Sequence, residues 1–169
     1  MDIKALFEYN WYCRRKFLDV MGKLPWEKVV ENREASFNSM RNVFLHSLEA
    51  EQGWLRHLAR GRMGEWPSRD YERDFQGVEA MRKCAAEVEA ESRAYLEKLG
   101  PGDLDNVFSW PGRGGTTNRF RVEDVLMHVV EEEIHHRGEL LCLMWQINAT
   151  PPYTSYTGYL AETKQVPPT

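Results

Sequence analysis

Apolar residues return along this chain at spacings of three and four in four long segments, the period of a helix with one buried face. The first runs from about Asp2 to Met21, with Leu6, Tyr9, Asn10, Cys13, Phe17 and Val20 on one stripe and Gly22 and Pro25 marking its end. Residues Pro25 to Phe37 read as an extended connection. The second helix spans about Ser39 to Ala59, with Val43, His46, Ala50 and Trp54 sharing a face, and Gly61, Gly64 and Pro67 closing it. Trp66 to Asp74 reads as polar loop. The third, about Gln76 to Leu99, is rich in strong helix formers and carries Val78, Met81, Ala85, Val88 and Tyr95 inward. Gly100-Pro101-Gly102 stops it. Two short apolar stretches then flank the cluster Gly112-Arg113-Gly114-Gly115, which predicts a β-hairpin or an ordered loop. The fourth helix runs from about Val122 to Ile147, with Glu123 and Asp124 in its first turn, where the helix dipole favours negative charge. The tail to Thr169 is expected to pack across the bundle. The pattern predicts an all-α four-helix bundle, one domain over residues 1–169, with that short hairpin or loop before the last helix.

Composition narrows the partners. Hydrophobic residues are 42% and charged residues 28% of the chain, the balance of a globular protein. The formal net charge of -4 argues against a duplex-binding surface, so no nucleic acid partner is expected. No apolar run is long enough to cross a membrane, and the N-terminus lacks an apolar core followed by a small-residue cleavage site. A cytoplasmic protein without a membrane partner is therefore expected. Cys13, Cys84 and Cys142 have no metal-knuckle spacing and read as small buried hydrophobes in a reducing compartment.

The chemistry concentrates in the fourth helix. Glu132 and His136 are one helical turn apart, about 6 Å of rise, so they project side by side. Val125, Val129, Glu132, His136, Leu140 and Leu143 share a stripe, so a carboxylate and an imidazole interrupt an apolar face. A buried carboxylate needs a compensating charge. A divalent cation would supply it, and so would Arg137. His46 makes the parallel case on the second helix, either as a satisfied core histidine or as a third ligand. His128 and His135 flank the same stripe, and His57 lies three turns beyond His46. Two histidines and one carboxylate suit zinc, nickel or iron and leave coordination positions open.

These residues also resemble a known family. Tyr9-Asn10-Trp11, the run Asn42 to His46 followed by Glu51 and Trp54, and His128 to Glu132 followed by His135-His136-Arg137-Gly138-Glu139 are similar to the motifs of the DinB/YfiT-like metal-binding four-helix bundles. The resemblance covers nearly the whole chain. It implies one divalent metal held by His46, position 132 and His136. Many members carry histidine at position 132. This chain has glutamate, as the related mycothiol-dependent maleylpyruvate isomerases do.

The expected function is that of a divalent-metal-binding protein, a metal-dependent hydrolase or thiol transferase acting on a small molecule, with a low-molecular-weight thiol as cosubstrate in the second case. Zinc or nickel is favoured over iron. A facial-triad iron oxygenase ranks last. The alternative is a non-catalytic dimeric stress-response or interaction module with a structural or sensory metal. No catalytic base is assigned, although Asn10, Arg14 and His128 are candidates. Asn10 reads equally as a packing hydrogen bonder and Arg14 as a surface cation. The apolar residues Leu126, Met127, Val130, Ile134, Leu141 and Trp145 on the far side of the last helix call for cover by the tail or, preferably, by a second copy in a homodimer.

Overall fold

A computed structural model describes residues 2–163. Four long helices form where the sequence period places them: α1 (Ile3–Met21), α3 (Met40–Arg60), α5 (Val78–Lys98) and α6 (Val122–Gln146). Their ends follow from capping chemistry. The Asp2 carboxylate accepts from the Lys4 N–H at 2.9 Å, and the Ser39 hydroxyl accepts from the Asn42 N–H at 3.3 Å. At the start of α6, Asp124 accepts from the Arg121 N–H at 3.0 Å.

The helices pack as a bundle in which α1 and α3 each lie against both α5 and α6. Two apolar clusters fill the interior. One holds Phe17, Met21, Met40, Phe44, Leu48, Met81, Val88, Leu140 and Met144. The other holds Phe7, Trp11, Leu55, Leu96, Phe108, Val122 and Leu126. Along α1 and α6 the chain runs from the second cluster to the first, whereas α3 and α5 run from the first to the second. Helices α3 and α5 are consequently parallel, and the segment joining them must return the length of a helix, about 30 Å.

That return segment is an ordered strap along α3. Trp66 lies over Gly53, Arg69 donates to Gln52, and Tyr71 donates to Glu49. A Cβ at position 53 would stand 2.1 Å from the Trp66 ring, so only glycine admits this contact. The strap ends in a single helical turn, α4 (Tyr71–Asp74), where the sequence predicts loop. The first connection likewise differs from the extended segment expected: it contains α2 (Trp26–Val30) and a bridge between Ala35 and Asn38. Both helices are about one turn long, too short for a hydrophobic period to show.

After a 3₁₀ turn at Pro101–Asp105, strands β1 (Val107–Pro111) and β2 (Thr117–Arg121) form the expected hairpin, antiparallel with Phe108 opposite Phe120. Gly114 and Gly115 take φ of 66° and 81° at its tip, a conformation that favours glycine. The C-terminal segment forms α7 (Tyr156–Thr163), which packs on α1 through Tyr9, Tyr12 and Tyr159. Residues 164–169 of the expected tail lie outside the described residues. Among the described residues no helix is long and apolar enough to cross a membrane.

Candidate metal centre

Helices α3 and α6 are packed against each other, and their contact brings three donor groups together. His136 Nε2 stands 3.6 Å from Glu132 Oε2, and His46 Nε2 stands 3.9 Å from the same oxygen. One donor atom from each of His46, Glu132 and His136 lies within 4.8 Å of the others. The two shorter separations exceed hydrogen-bonding distance. Donors around a tetrahedral ion bonded at about 2.0–2.1 Å stand about 3.3 Å apart. The two separations from Glu132 are about 0.3 and 0.6 Å wider and all three lie within 4.8 Å, so the donors would have to draw inward to hold a divalent cation.

The surroundings fix the donors. His136 Nδ1 lies 3.1 Å from Glu139 Oε2. With the proton on Nδ1 donated to Glu139, the Nε2 lone pair faces Glu132 and His46. Glu139 is itself held by the Ser36 N–H and the Ser36 hydroxyl, each donating at 2.7 Å. Burial works to raise the Glu139 carboxyl, but these bonds and His136 outweigh it and hold the group below its ordinary range. Phe37 stacks on the His46 ring with centroids 3.8 Å apart. Burial pushes the His46 imidazole below its ordinary value, and His136 beside it adds to the effect. A neutral imidazole is the form that ligates. Neither Ser36 nor Phe37 nor Glu139 was singled out as a support from sequence, because Ser36 reaches the site only through the folded first connection.

The donor set opens on a cavity of about 400 Å³ lined in part by His46, Glu132, Trp54, Trp66 and His128. The α3–α5 strap therefore supplies one wall. His128 is exposed and one turn before Glu132, and it forms a second potential donor group with Glu131 and Glu132. His135 is exposed and stacks on His136 without facing Glu132. His57 is fully buried between Trp54 and Trp66, and its Nδ1 accepts from the Gly64 N–H at 3.2 Å. It anchors the strap and stands apart from the donor set.

Behind the site runs a buried polar layer that divides the two apolar clusters. Arg14, for which a surface cation is one of the two sequence readings, is 3% exposed. Its guanidinium meets Glu51 at 2.7 Å and Glu133 at 2.8 Å. Glu51 also accepts from Trp11 Nε1 at 3.1 Å and from the Ser92 hydroxyl. Glu133 is thus more deeply buried than its neighbour Glu132 and paired with an arginine. The alternative partner considered for Glu132, Arg137, turns the other way: it donates to Asn10 Oδ1 at 3.3 Å and covers the Tyr9 ring. Asn10 is accordingly a buried packing residue. Of the three cysteines, Cys13 and Cys84 are buried as expected, while Cys142 is exposed. Position 142 lies beside the inner stripe of α6 and faces out.

The family model described as the DinB family matches residues 1–167 of the chain. A curated relative, the uncharacterized protein YizA of Bacillus subtilis (strain 168), is 22% identical over 152 residues, covering 90% of this chain and 92% of its own. A solved structure of a DinB-like protein from Bacillus cereus is similar with a TM-score of 0.71 at 18% identity, over 90% of this chain and 95% of the other. The DinB-like protein YjoA from Bacillus subtilis is similar with a TM-score of 0.63 at 16% identity, over 89% and 98% respectively. At these identities the structural likeness carries the fold alone.

Proposed function

Since the chain belongs to the DinB family, we propose that it binds one divalent metal, zinc or nickel before iron, through His46, Glu132 and His136, and acts as a metal-dependent hydrolase or thiol transferase on a small molecule. The observation that carries this reading is the convergence of two imidazoles and one carboxylate, two of which, His46 and Glu132, line an open cavity of about 400 Å³. Three protein donors leave room for an exogenous ligand, whereas structural sites are normally closed by four.

A divalent ion held there would lower the pKa of a coordinated water or thiol, the first route giving hydrolysis and the second thiol transfer with a low-molecular-weight thiol. Glu132 contributes the single negative charge of the set, and Glu139 orients His136. His128 presents an exposed imidazole to the same cavity and is a candidate to take up a proton there. In this reading residues 1–169 work as one domain, and neither nucleic acid nor a membrane is a partner.

A second reading, a non-catalytic dimeric module with a structural or sensory metal, draws on a different observation. Leu126 and Val130 on the far side of α6 are buried, but Met127, Ile134 and Trp145 are exposed. At about 100° per residue these three share one line along the helix. The described part of the tail packs on α1 instead, leaving the line to a second copy of the chain.

Cobalt titration separates the readings. The proposed site takes up one Co²⁺ per chain, and added thiol then produces a thiolate-to-cobalt charge-transfer band. A cobalt spectrum indifferent to thiols and to small anions would contradict an open site and leave the structural or sensory role.

A further inference from the structure

A second cavity lies further towards the start of α6. Its volume is about 520 Å³, within the range of small-molecule sites, and it is lined by Trp54, Trp110, Phe120, Asp124, Val125 and His128. Trp54 and His128 also line the cavity at the donor set, so the two spaces share a wall. The hairpin builds the far side. Trp110 and Phe120 project from the same face of β1 and β2 and stack at 5.0 Å, and Trp110 meets Trp54 at 5.3 Å with their planes 60° apart. Phe120, opposite the buried Phe108, is left 44% exposed on a strand that is otherwise polar.

The one carboxylate that lines this space is held in an ion pair, with an arginine that Asp105 and Glu123 share. Asp124 accepts from the Arg121 N–H at 3.0 Å and from its guanidinium at 3.3 Å. What remains is ring surface, the Val125 side chain and the His128 imidazole. A flat uncharged ring packs well against such a lining, while an anionic group would lose hydration against the negative ring faces.

We propose that this cavity is the aromatic arm of the substrate site and takes a neutral planar aromatic group, with the polar head of the same molecule reaching His46, Glu132 and His136. Placing the head rests on the metal reading above, whereas occupancy of the arm does not. Glu132 to His128 is one helical turn and His128 to Asp124 another, so the molecule spans about 12 Å, the length of a biphenyl with a short polar arm.

Three probes test this by calorimetry on the full chain with and without zinc: 4-biphenylmethanol, 4-biphenylacetate and (4-biphenylmethyl)trimethylammonium. The alcohol binds in both states. Phe120→Ala weakens it about five- to tenfold and Phe120→Glu at least as much. Circular dichroism stays unchanged, since the side chain is half exposed. With zinc, the carboxylate binds at least tenfold more tightly than the alcohol. No binding of the alcohol, or binding indifferent to Phe120→Ala, overturns the arm. So does tighter binding of the ammonium compound, further strengthened by Phe120→Glu, which would make the space a cation cage. If the alcohol behaves as stated while zinc binds but gives the carboxylate no advantage, the arm stands and the placement of the head falls; if zinc itself does not bind, the metal reading falls and the arm stands.

Discussion

Replacing Arg14 by methionine removes the cation that, among the described residues, pairs with both Glu51 and Glu133 in the buried layer between the two apolar clusters. Two carboxylates are then left in the interior without a cation, although Glu51 keeps its hydrogen bonds from Trp11 and Ser92. Breaking a buried ion pair in this way costs about 3–5 kcal/mol, so Arg14→Met lowers the urea-unfolding free energy by that amount while the helices persist. A loss under about 1 kcal/mol would show that the layer is not what joins α1 to α3 and α6. Arg14 was hidden in the sequence for a definable reason. The stripe read from Leu6 to Val20 follows one face of α1, but the deepest line is Phe7, Trp11, Arg14, Leu18 and Met21. An arginine on that line contradicts the usual exposure of the residue type, and its partners lie on other helices. By contrast, His46, Glu132 and His136 were legible, because each breaks an apolar face and two of them stand one turn apart on one helix.

The α3–α5 strap ties an element to the candidate site, and Gly53 is where it can be tested. An alanine methyl at position 53 cannot coexist with the Trp66 ring. Alanine itself favours the helix by about 1 kcal/mol over glycine, so α3 survives and the strap moves. Gly53→Ala is expected to raise acrylamide quenching of tryptophan fluorescence, and the increase should vanish in a Trp66→Phe background. Unchanged quenching would mean that the strap does not rest on α3. The hairpin and the four long helices could be read from their periods and turn residues. The strap could not, because its residues are polar and its contacts are with a helix that precedes it. Helices α2 and α4 were missed because five and four residues hold about one turn each.

For the whole molecule, the parallel course of α3 and α5 was invisible in the sequence: connection length permits a return crossover but does not require one. The fold it produces leaves Met127, Ile134 and Trp145 exposed in a line on α6. If a second copy covers them, Ile134→Glu converts a dimer to a monomer in sedimentation equilibrium with its helical content intact. A wild-type chain that is monomeric at high concentration would contradict that assembly. The assembly and the metal are separable claims, since the exposed line and the donor set lie on different faces of α6. The donor set is the central claim, and elemental analysis of the untagged chain tests it most directly, beside Glu132→Ala and His46→Ala. About one zinc, nickel or iron per wild-type chain is expected, lost in both variants without loss of helical content. A wild-type chain that stays metal-free after reloading, or variants that keep their metal, would contradict it.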